Sequence, residues 1–209
     1  MSTLFPLLLA TIVGFTHAFE VDHLLAVSNI VTRRKSVWAS VKDGIFWGLG
    51  HTSTIMIVGI LMIVVRVAIT QRTFGYFEAC VGLMLVVLGG HRLWKGWRHN
   101  AHAHDHHHPH DEPDGHGLAY GVGLVHGLAG SGTLVLLVMT QLRSSWEGIV
   151  YLFIFGLGSI AGMLVASGVF SLPFSKKIQQ LKPLRMGLTL LSSVLCMGFG
   201  MKVIWINLM

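Results

Sequence analysis

The chain has 209 residues, of which 53% are hydrophobic and only 11% are charged, and its mean hydropathy is +0.66. A composition this apolar and this poor in charge excludes an ordinary soluble domain and places the chain in a lipid bilayer. The formal net charge of +6 therefore needs an explanation that fits a membrane protein.

Six apolar stretches are long enough to form membrane-spanning helices, each of which needs about 20 predominantly apolar residues. No Lys or Arg precedes the first stretch, and it is longer than the apolar part of a secretory signal, so we expect it to remain in the mature protein. The sequence predicts an all-α polytopic membrane protein with six transmembrane helices. In chain order the spans are 4–31, 37–65, 74–97, 117–141, 146–171 and 184–207.

The basic residues predict the orientation of these spans. If the spans alternate in direction, one side receives Arg33, Arg34, Lys35, Lys42, Arg92, Lys95, Arg98, Lys176, Lys177, Lys182 and Arg185, and the other receives Arg66, Arg72 and Arg143. By the positive-inside rule, the side richer in Lys and Arg is cytoplasmic. Both termini are therefore expected on the extracytoplasmic side of the cytoplasmic (inner) membrane. This asymmetry accounts for the basic character of the chain without a nucleic-acid partner.

A polar segment, residues 98–116, interrupts the membrane pattern and holds eight of the 13 histidines. We predict a flexible cytoplasmic linker between residues 1–97 and residues 117–209. Neutral imidazole binds divalent transition metals, so the linker is expected to capture ions, although a plain hydrophilic spacer is the alternative. The auxiliary ligands would be His102, His104, His106, His107, His108 and His110.

The two halves of the chain resemble each other. Aligning them pairs Gly14 and His17 with Gly123 and His126, and residues 48–51 with residues 156–159. Each half has three spans, so a second half built like the first enters the membrane from the opposite face. The sequence thus predicts two inverted three-helix repeats, the arrangement of many secondary transporters that bind their substrate near the midplane.

The stretch HAFEVDH, residues 17–23, places ionisable groups near the middle of the first span, where they are costly and usually mark a site. On an uninterrupted helix His17 and Glu20 share a face, whereas Asp22 and His23 point elsewhere. Either the helix is unwound here or the side chains face different partners. The counterpart HGLAGSG, residues 126–132, has the small residues expected of a second break.

These side chains indicate a particular class of metal ion. Two imidazoles and a carboxylate suit Ni(II), Co(II), Zn(II) or Fe(II), whereas Mg(II) and Ca(II) prefer oxygen ligands. Glu20 and Asp22 could also neutralise the ion or exchange protons with it. His51 and His126 are further candidate ligands, or each is a hydrogen-bonding partner between helices.

HAFEVDH followed by LGHTST resembles the nickel/cobalt transporter family and its NicO and UreH-like relatives. The family has His-Ala-x-Asp-Ala-Asp-His in the corresponding helix and Leu-Gly-His-Ser/Thr in the next. The first motif matches at His17, Ala18, Asp22 and His23, with Glu20 and Val21 in place of Asp and Ala, and the second matches at Leu49, Gly50 and His51.

The resemblance implies that His17, Asp22 and His23 recognise the metal, with His51 assisting. The larger family members have eight helices and an Asp-Thr-Ala-Thr-Glu signature in their second half, where this chain has residues 126–132 instead. That departure favours the shorter relatives.

The expected function is uptake of Ni(II) or Co(II) by a secondary transporter in which the metal is the substrate, with no organic cofactor. A homo-oligomer is compatible with the sequence. Efflux that uses the His-rich linker to collect ions is the main alternative. A metal-dependent intramembrane enzyme and a thiol–disulfide carrier built on Cys80 and Cys196 are weaker alternatives.

Overall fold

A computed structural model of the chain describes residues 4–31, 34, 36–65, 69–101, 116–141, 144–172 and 182–209. Most of the predicted linker, residues 102–115, lies outside this range together with its six auxiliary histidines. The described residues form helices joined by short connections. The helices are α1 Leu4–His17, α2 Val21–Val31, α3 Val37–Val64, α4 Gln71–Ala101, α5 His116–Gln141, α6 Ser145–Ser171 and α7 Lys182–Leu208.

Helices cover the six predicted segments, with a break at residues 18–20 of the first. This confirms an all-α polytopic membrane protein, whereas six separate crossings stay a prediction. Within the described residues, four helical segments are individually long and apolar enough to cross a bilayer: Val37–Val64, Gln71–Trp97, Ser145–Ser171 and Met186–Leu208. The pair formed by α1 and α2 adds a fifth crossing if it is a single broken span.

The first predicted span is broken in the middle of HAFEVDH. Helix α1 ends at His17, residues 18–20 form a turn, and α2 continues at an angle of 54°. The turn is closed by two backbone hydrogen bonds between residues three positions apart, from Phe19 N to Thr16 O and from Glu20 N to His17 O. Of the two arrangements that the sequence left open, the structure therefore has the unwound one.

The second predicted break is wrong, because α5 continues without interruption through residues 126–132. A side chain on Gly123 would collide with the carbonyl oxygen of Trp47, and one on Gly127 would collide with that of His51. These glycines therefore let α5 lie directly against α3, and this packing outweighs their low intrinsic helix propensity.

Helices α3 and α6 begin at matching serine caps. Ser36 Oγ accepts a hydrogen bond from Ala39 N, and Ser144 Oγ accepts one from Glu147 N. Each hydroxyl satisfies a backbone donor that the first turn of the helix leaves free. The caps thus fix where the two central helices start.

The helices pack mainly as α3 with α5, α3 with α6, α1 with α6, and α4 with α7. One apolar core contains Val27 and Leu85, and a second contains Ile55, Leu152 and Phe155. Together these contacts fix the position of the break in the first span relative to α3 and α5.

A buried ion-pair cluster joins the start of α3 to the start of α5. Asp43, whose side chain is 2% exposed, accepts hydrogen bonds from Arg34 Nη2 at 2.7 Å and from His116 Nδ1 at 3.0 Å. The His116 ring also stacks on Phe46 with centroids 4.8 Å apart. The last residue of the predicted linker is thereby fixed to the helical body.

The two cysteines are both free thiols. Cys196 is buried and its Sγ donates to Leu85 O at 3.3 Å, while Cys80 is exposed on α4. Cys196 behaves as a small core side chain, as expected for a buried thiol.

Candidate metal centre

Four histidine rings from four helices meet at the break in the first span. His17 ends α1, His23 lies in the first turn of α2, His51 is on α3 and His126 is on α5. The His23 ring centroid is 4.7 Å from that of His17, 5.2 Å from that of His51 and 4.5 Å from that of His126. The four rings form one contiguous cluster.

The break makes this meeting geometrically feasible. On a continuous helix, residues six positions apart point roughly 120° away from each other. The turn at residues 18–20 cancels that divergence and brings the rings of His17 and His23 into edge contact. The local unwinding is therefore what converts a sequence motif into a site.

The rings are buried but their polar atoms are not all satisfied. The exposed fraction is 6% for His17, 1% for His23 and zero for His51 and His126. Among the described residues, no hydrogen-bond partner reaches Nε2 of His17, Nε2 of His23 or either ring nitrogen of His51. Buried polar atoms are normally paired, so a group of unpaired imidazole nitrogens facing one another fits a metal-binding role.

The donor atoms fall into two overlapping groups of three, in each of which they lie within 4.8 Å of one another. The first group is His17, His23 and His51, and the second is Asp22, His23 and His126. Ligand atoms about 2.0–2.2 Å from a metal are roughly 3 to 4 Å apart, so a small contraction brings either group onto an ion. His23 belongs to both groups.

Carboxylates orient two of the rings. His17 Nδ1–H donates to Glu20 Oε1 at 2.8 Å, and His23 Nδ1–H donates to Asp22 Oδ1 at 3.1 Å. The other oxygen of Asp22 lies 3.4 Å from His126 Nε2. A carboxylate on Nδ1 fixes the tautomer that leaves Nε2 free as a ligand and raises its basicity, as in many carboxylate–histidine–metal arrangements.

The structure brings together five of the six side chains that the sequence nominated as primary ligands: His17, Asp22, His23, His51 and His126. The sixth, Glu20, lies outside both donor groups. The Glu20 side chain is 58% exposed and contacts Nδ1 of His17, the ring nitrogen that is hydrogen-bonded and not free for the metal.

Two aromatic residues that the sequence analysis did not nominate complete the walls of the cluster. Trp47 stacks on His23 with centroids 5.5 Å apart and also contacts His126, and Phe155 packs against His17 at 5.7 Å. Trp47 lies four residues before His51, one helical turn away on the same face, and that spacing was a usable signal. No comparable local pattern marks Phe155.

The break between α1 and α2 carries two buried imidazoles, and α3 and α5 supply one more each. These features define a helical membrane protein with an internal cluster of metal-ligating side chains. The chain is 37% identical over 183 residues to the urease accessory protein UreH of Bacillus sp. (strain TB-90), and the match covers 84% of this chain and 80% of that relative. The chain belongs to the UreH family. This confirms the resemblance to the UreH-like relatives of the nickel/cobalt transporters.

No family model matches the chain, and no solved structure matches it.

Proposed function

We propose that this protein is a secondary transporter that carries Ni(II) into the cell, with the histidine cluster at the broken span as its substrate site. The observation that carries the proposal is the set of unpaired, buried ring nitrogens on His17, His23 and His51. Ionisable groups inside a bilayer are costly, so their accumulation at one point favours a substrate site over a structural role.

The chemistry of the donors favours a borderline transition metal. Three or four imidazoles with one carboxylate suit Ni(II) and Co(II) and are poor ligands for Mg(II) or Ca(II). Membership in the family of a urease accessory protein, together with the resemblance of the first two spans to nickel/cobalt transporters, favours Ni(II) over Co(II) as the main substrate.

Helix packing supports two inverted repeats, residues 1–97 and residues 117–209. If the spans of the first half correspond in order to those of the second, contact of α1 with α6 is the counterpart of contact of α5 with α3. The pairs α3 with α6 and α4 with α7 are then each their own counterpart. These are the four main packing contacts of the molecule, as a two-fold relation requires.

Individual glycines obey the same relation. A Cβ on Gly14 would meet Phe155 O and Ser159 N, and a Cβ on Gly123 would meet Trp47 O and His51 N. The sequence alignment of the halves pairs Gly14 with Gly123, and it pairs residues 155 and 159 with residues 47 and 51. Two independent close contacts thus agree with one inverted alignment, which supports the proposed repeat.

In the proposed mechanism the ion is held between the halves. The first half supplies His17, Asp22, His23 and His51, and the second half supplies His126. Rocking of one half against the other would change which donor group encloses the ion and which side of the membrane it faces. Protons compete with the metal for the same ring nitrogens, so a proton gradient could drive release.

Efflux is the second candidate, and the histidine-rich linker is compatible with it. We propose that the linker lies in the cytoplasm and that both termini lie on the extracytoplasmic side of the inner membrane, because Lys and Arg are concentrated on the side of the linker. A cytoplasmic tract of imidazoles would collect ions for export, but it would equally receive and buffer ions that have been imported. A metal-dependent enzyme has less support, since the relative is named as an accessory protein.

The direction and the site are tested together by the accumulation of radiolabelled nickel and cobalt in cells. The strains express the wild type, the double variant His17→Ala/His23→Ala, the exposed-histidine control His91→Ala, a deletion of residues 102–115, or the empty vector. The deletion retains His116, because the ring of His116 is hydrogen-bonded to Asp43. The proposal expects nickel above the vector level for the wild type, the control and the deletion, and the vector level for the double variant.

Each contrary result has a distinct meaning. Nickel below the vector level would reverse the direction and make the protein an exporter. Equal accumulation by the wild type and the double variant would remove the histidine cluster from the transport path. Loss of accumulation on deletion of residues 102–115 would make the linker a required ion receiver.

A further inference from the structure

A cavity of about 800 Å³, partly open to the surroundings, reaches the histidine cluster. Its lining includes His17 and three carboxylates, Glu20, Asp22 and Glu78. Among the described residues that line it, none is Lys or Arg. The lining therefore offers negative charge and one deeply buried imidazole.

Of the residues that line the cavity, Glu78 is nearest to the start of α4 and Val203 is nearest to the end of α7. Glu78 is about 10 Å along the axis from the start of α4, and Val203 is about 8 Å from the end of α7, at 1.5 Å rise per residue. Gly75 and Asn207 face each other there, which aligns the two helix ends. From this level the cavity extends to His17 and Asp22 at the break.

Glu78 is unexplained by packing. It lies within a candidate membrane span, where a carboxylate is costly unless it faces a partner or water. The cavity provides that environment, and at its inner end His17 is 94% buried with Nε2 unpaired. The sequence motif and the resemblance leave Glu78 without a role.

The position in the second half that corresponds to Glu78 is packed. Gly82 and Gly200 face each other across α4 and α7, so under the proposed two-fold relation Glu78 corresponds to Cys196, four residues before the second glycine. Cys196 is fully buried in the apolar core, and its thiol donates a hydrogen bond to the carbonyl oxygen of Leu85. Among the described residues, the cavity is thus lined by Glu78 and not by its counterpart Cys196.

We propose that Glu78 is the steering residue of an anionic vestibule that attracts a hydrated divalent cation and directs it past Glu20 to His17. This inference rests on the proposed function and adds the route by which the ion arrives. A narrow, negatively lined cleft with apolar walls concentrates cations and raises their association rate, and this effect weakens as ionic strength rises. In the proposed orientation the vestibule faces outside, as uptake requires.

Rapid mixing of the purified full-length protein with Ni(II) tests the vestibule. Binding is monitored by the quenching of the fluorescence of Trp47, which stacks on His23. The variant Trp47→Phe identifies the part of the fluorescence signal that comes from this residue. We expect Glu78→Gln to lower the association rate about 3- to 10-fold at low salt, with little change in dissociation, and the difference to shrink at high salt.

Glu147→Gln is the matched control, because it removes the same charge at an exposed position of α6 outside the cavity lining. Its association rate is expected to stay within about 1.5-fold of the wild type, as for a screened surface charge. Equal rates for Glu78→Gln and Glu147→Gln, with normal wild-type binding, would overturn the vestibule and leave the proposed function intact. No saturable Ni(II) signal from the wild type would overturn both.

A second measurement tests which side the vestibule faces. Glu78→Cys in a Cys80→Ala/Cys196→Ala background is treated in intact cells with a membrane-impermeant methanethiosulfonate reagent. Labelling of intact cells is expected. Labelling only after permeabilisation would overturn the extracytoplasmic vestibule.

Discussion

Residues 17–23 and residues 126–132, which the sequence alignment of the two halves pairs, have different structures. The first stretch breaks its helix and contributes His17, Asp22 and His23 to the cluster. The second remains helical and contributes His126, while Gly127 allows close contact with α3. The first stretch thus separates two helix segments and exposes donors, whereas the second lies in a close helix contact.

The difference gives the cluster an asymmetric construction. Most donors come from the first 97 residues, and α5, a continuous helix, adds one ring. His23 lies where the two contributions meet, because it belongs to both donor groups. The broken stretch should therefore dominate metal affinity, and the continuous stretch should dominate helix packing.

Replacement of His23 is expected to have the largest effect. His23→Ala removes a donor from both groups, so the Ni(II) affinity should fall by more than about 100-fold. This exceeds the usual cost of losing a side chain that only hydrogen-bonds to a metal ligand. Isothermal titration of the purified protein measures it. His91→Ala, which removes an exposed histidine of α4, is the control and should bind as the wild type does. Equal losses in the two variants would show that the broken stretch has no special role.

Replacement of Glu20 separates orientation from ligation. Glu20→Leu removes the hydrogen-bond acceptor of His17 Nδ1 and should weaken Ni(II) binding by about 10- to 100-fold. Glu20→Gln keeps an acceptor oxygen and should lose less affinity. The same titration compares them. Wild-type affinity for Glu20→Leu would contradict the orienting role, and equal losses for both variants would assign the effect to charge.

The close contact of α5 with α3 is probed at Gly123, which precedes the continuous stretch by three residues, and here we expect the smallest effect on metal binding. Gly123→Ala forces α5 away from α3 and should lower the free energy of unfolding by about 1–3 kcal/mol, the usual cost of overpacking. Gly121→Ala, on the same helix with open space around its Cβ, should be neutral or slightly stabilising. Denaturation in mixed micelles measures both. Equal stability would contradict close packing of α5 on α3.

The sequence predicts much of this architecture for identifiable physical reasons. Long apolar stretches located the helices, and the cost of midspan ionisable groups located the cluster at residues 17–23. The break was one of two arrangements open from the sequence. The direction in which His17 and His23 turn had to come from the three-dimensional structure.

The failures have physical reasons as well. Glycine is both a weak helix former and the best residue for close helix contact, so composition alone could not decide the state of residues 126–132. Glu78 carries no motif, and its meaning depends on a cavity formed by distant helices. The Asp43 cluster likewise depends on Arg34 and His116, which are far apart in the chain.

X-ray absorption at the nickel edge, on purified protein loaded with one equivalent of Ni(II), tests the central claim most directly. The account predicts scattering from at least two imidazoles at about 2 Å, by analogy with other imidazole–metal bonds, and its loss in His23→Ala. A spectrum with oxygen ligands alone, unchanged in His23→Ala, would contradict a metal site at the broken first span.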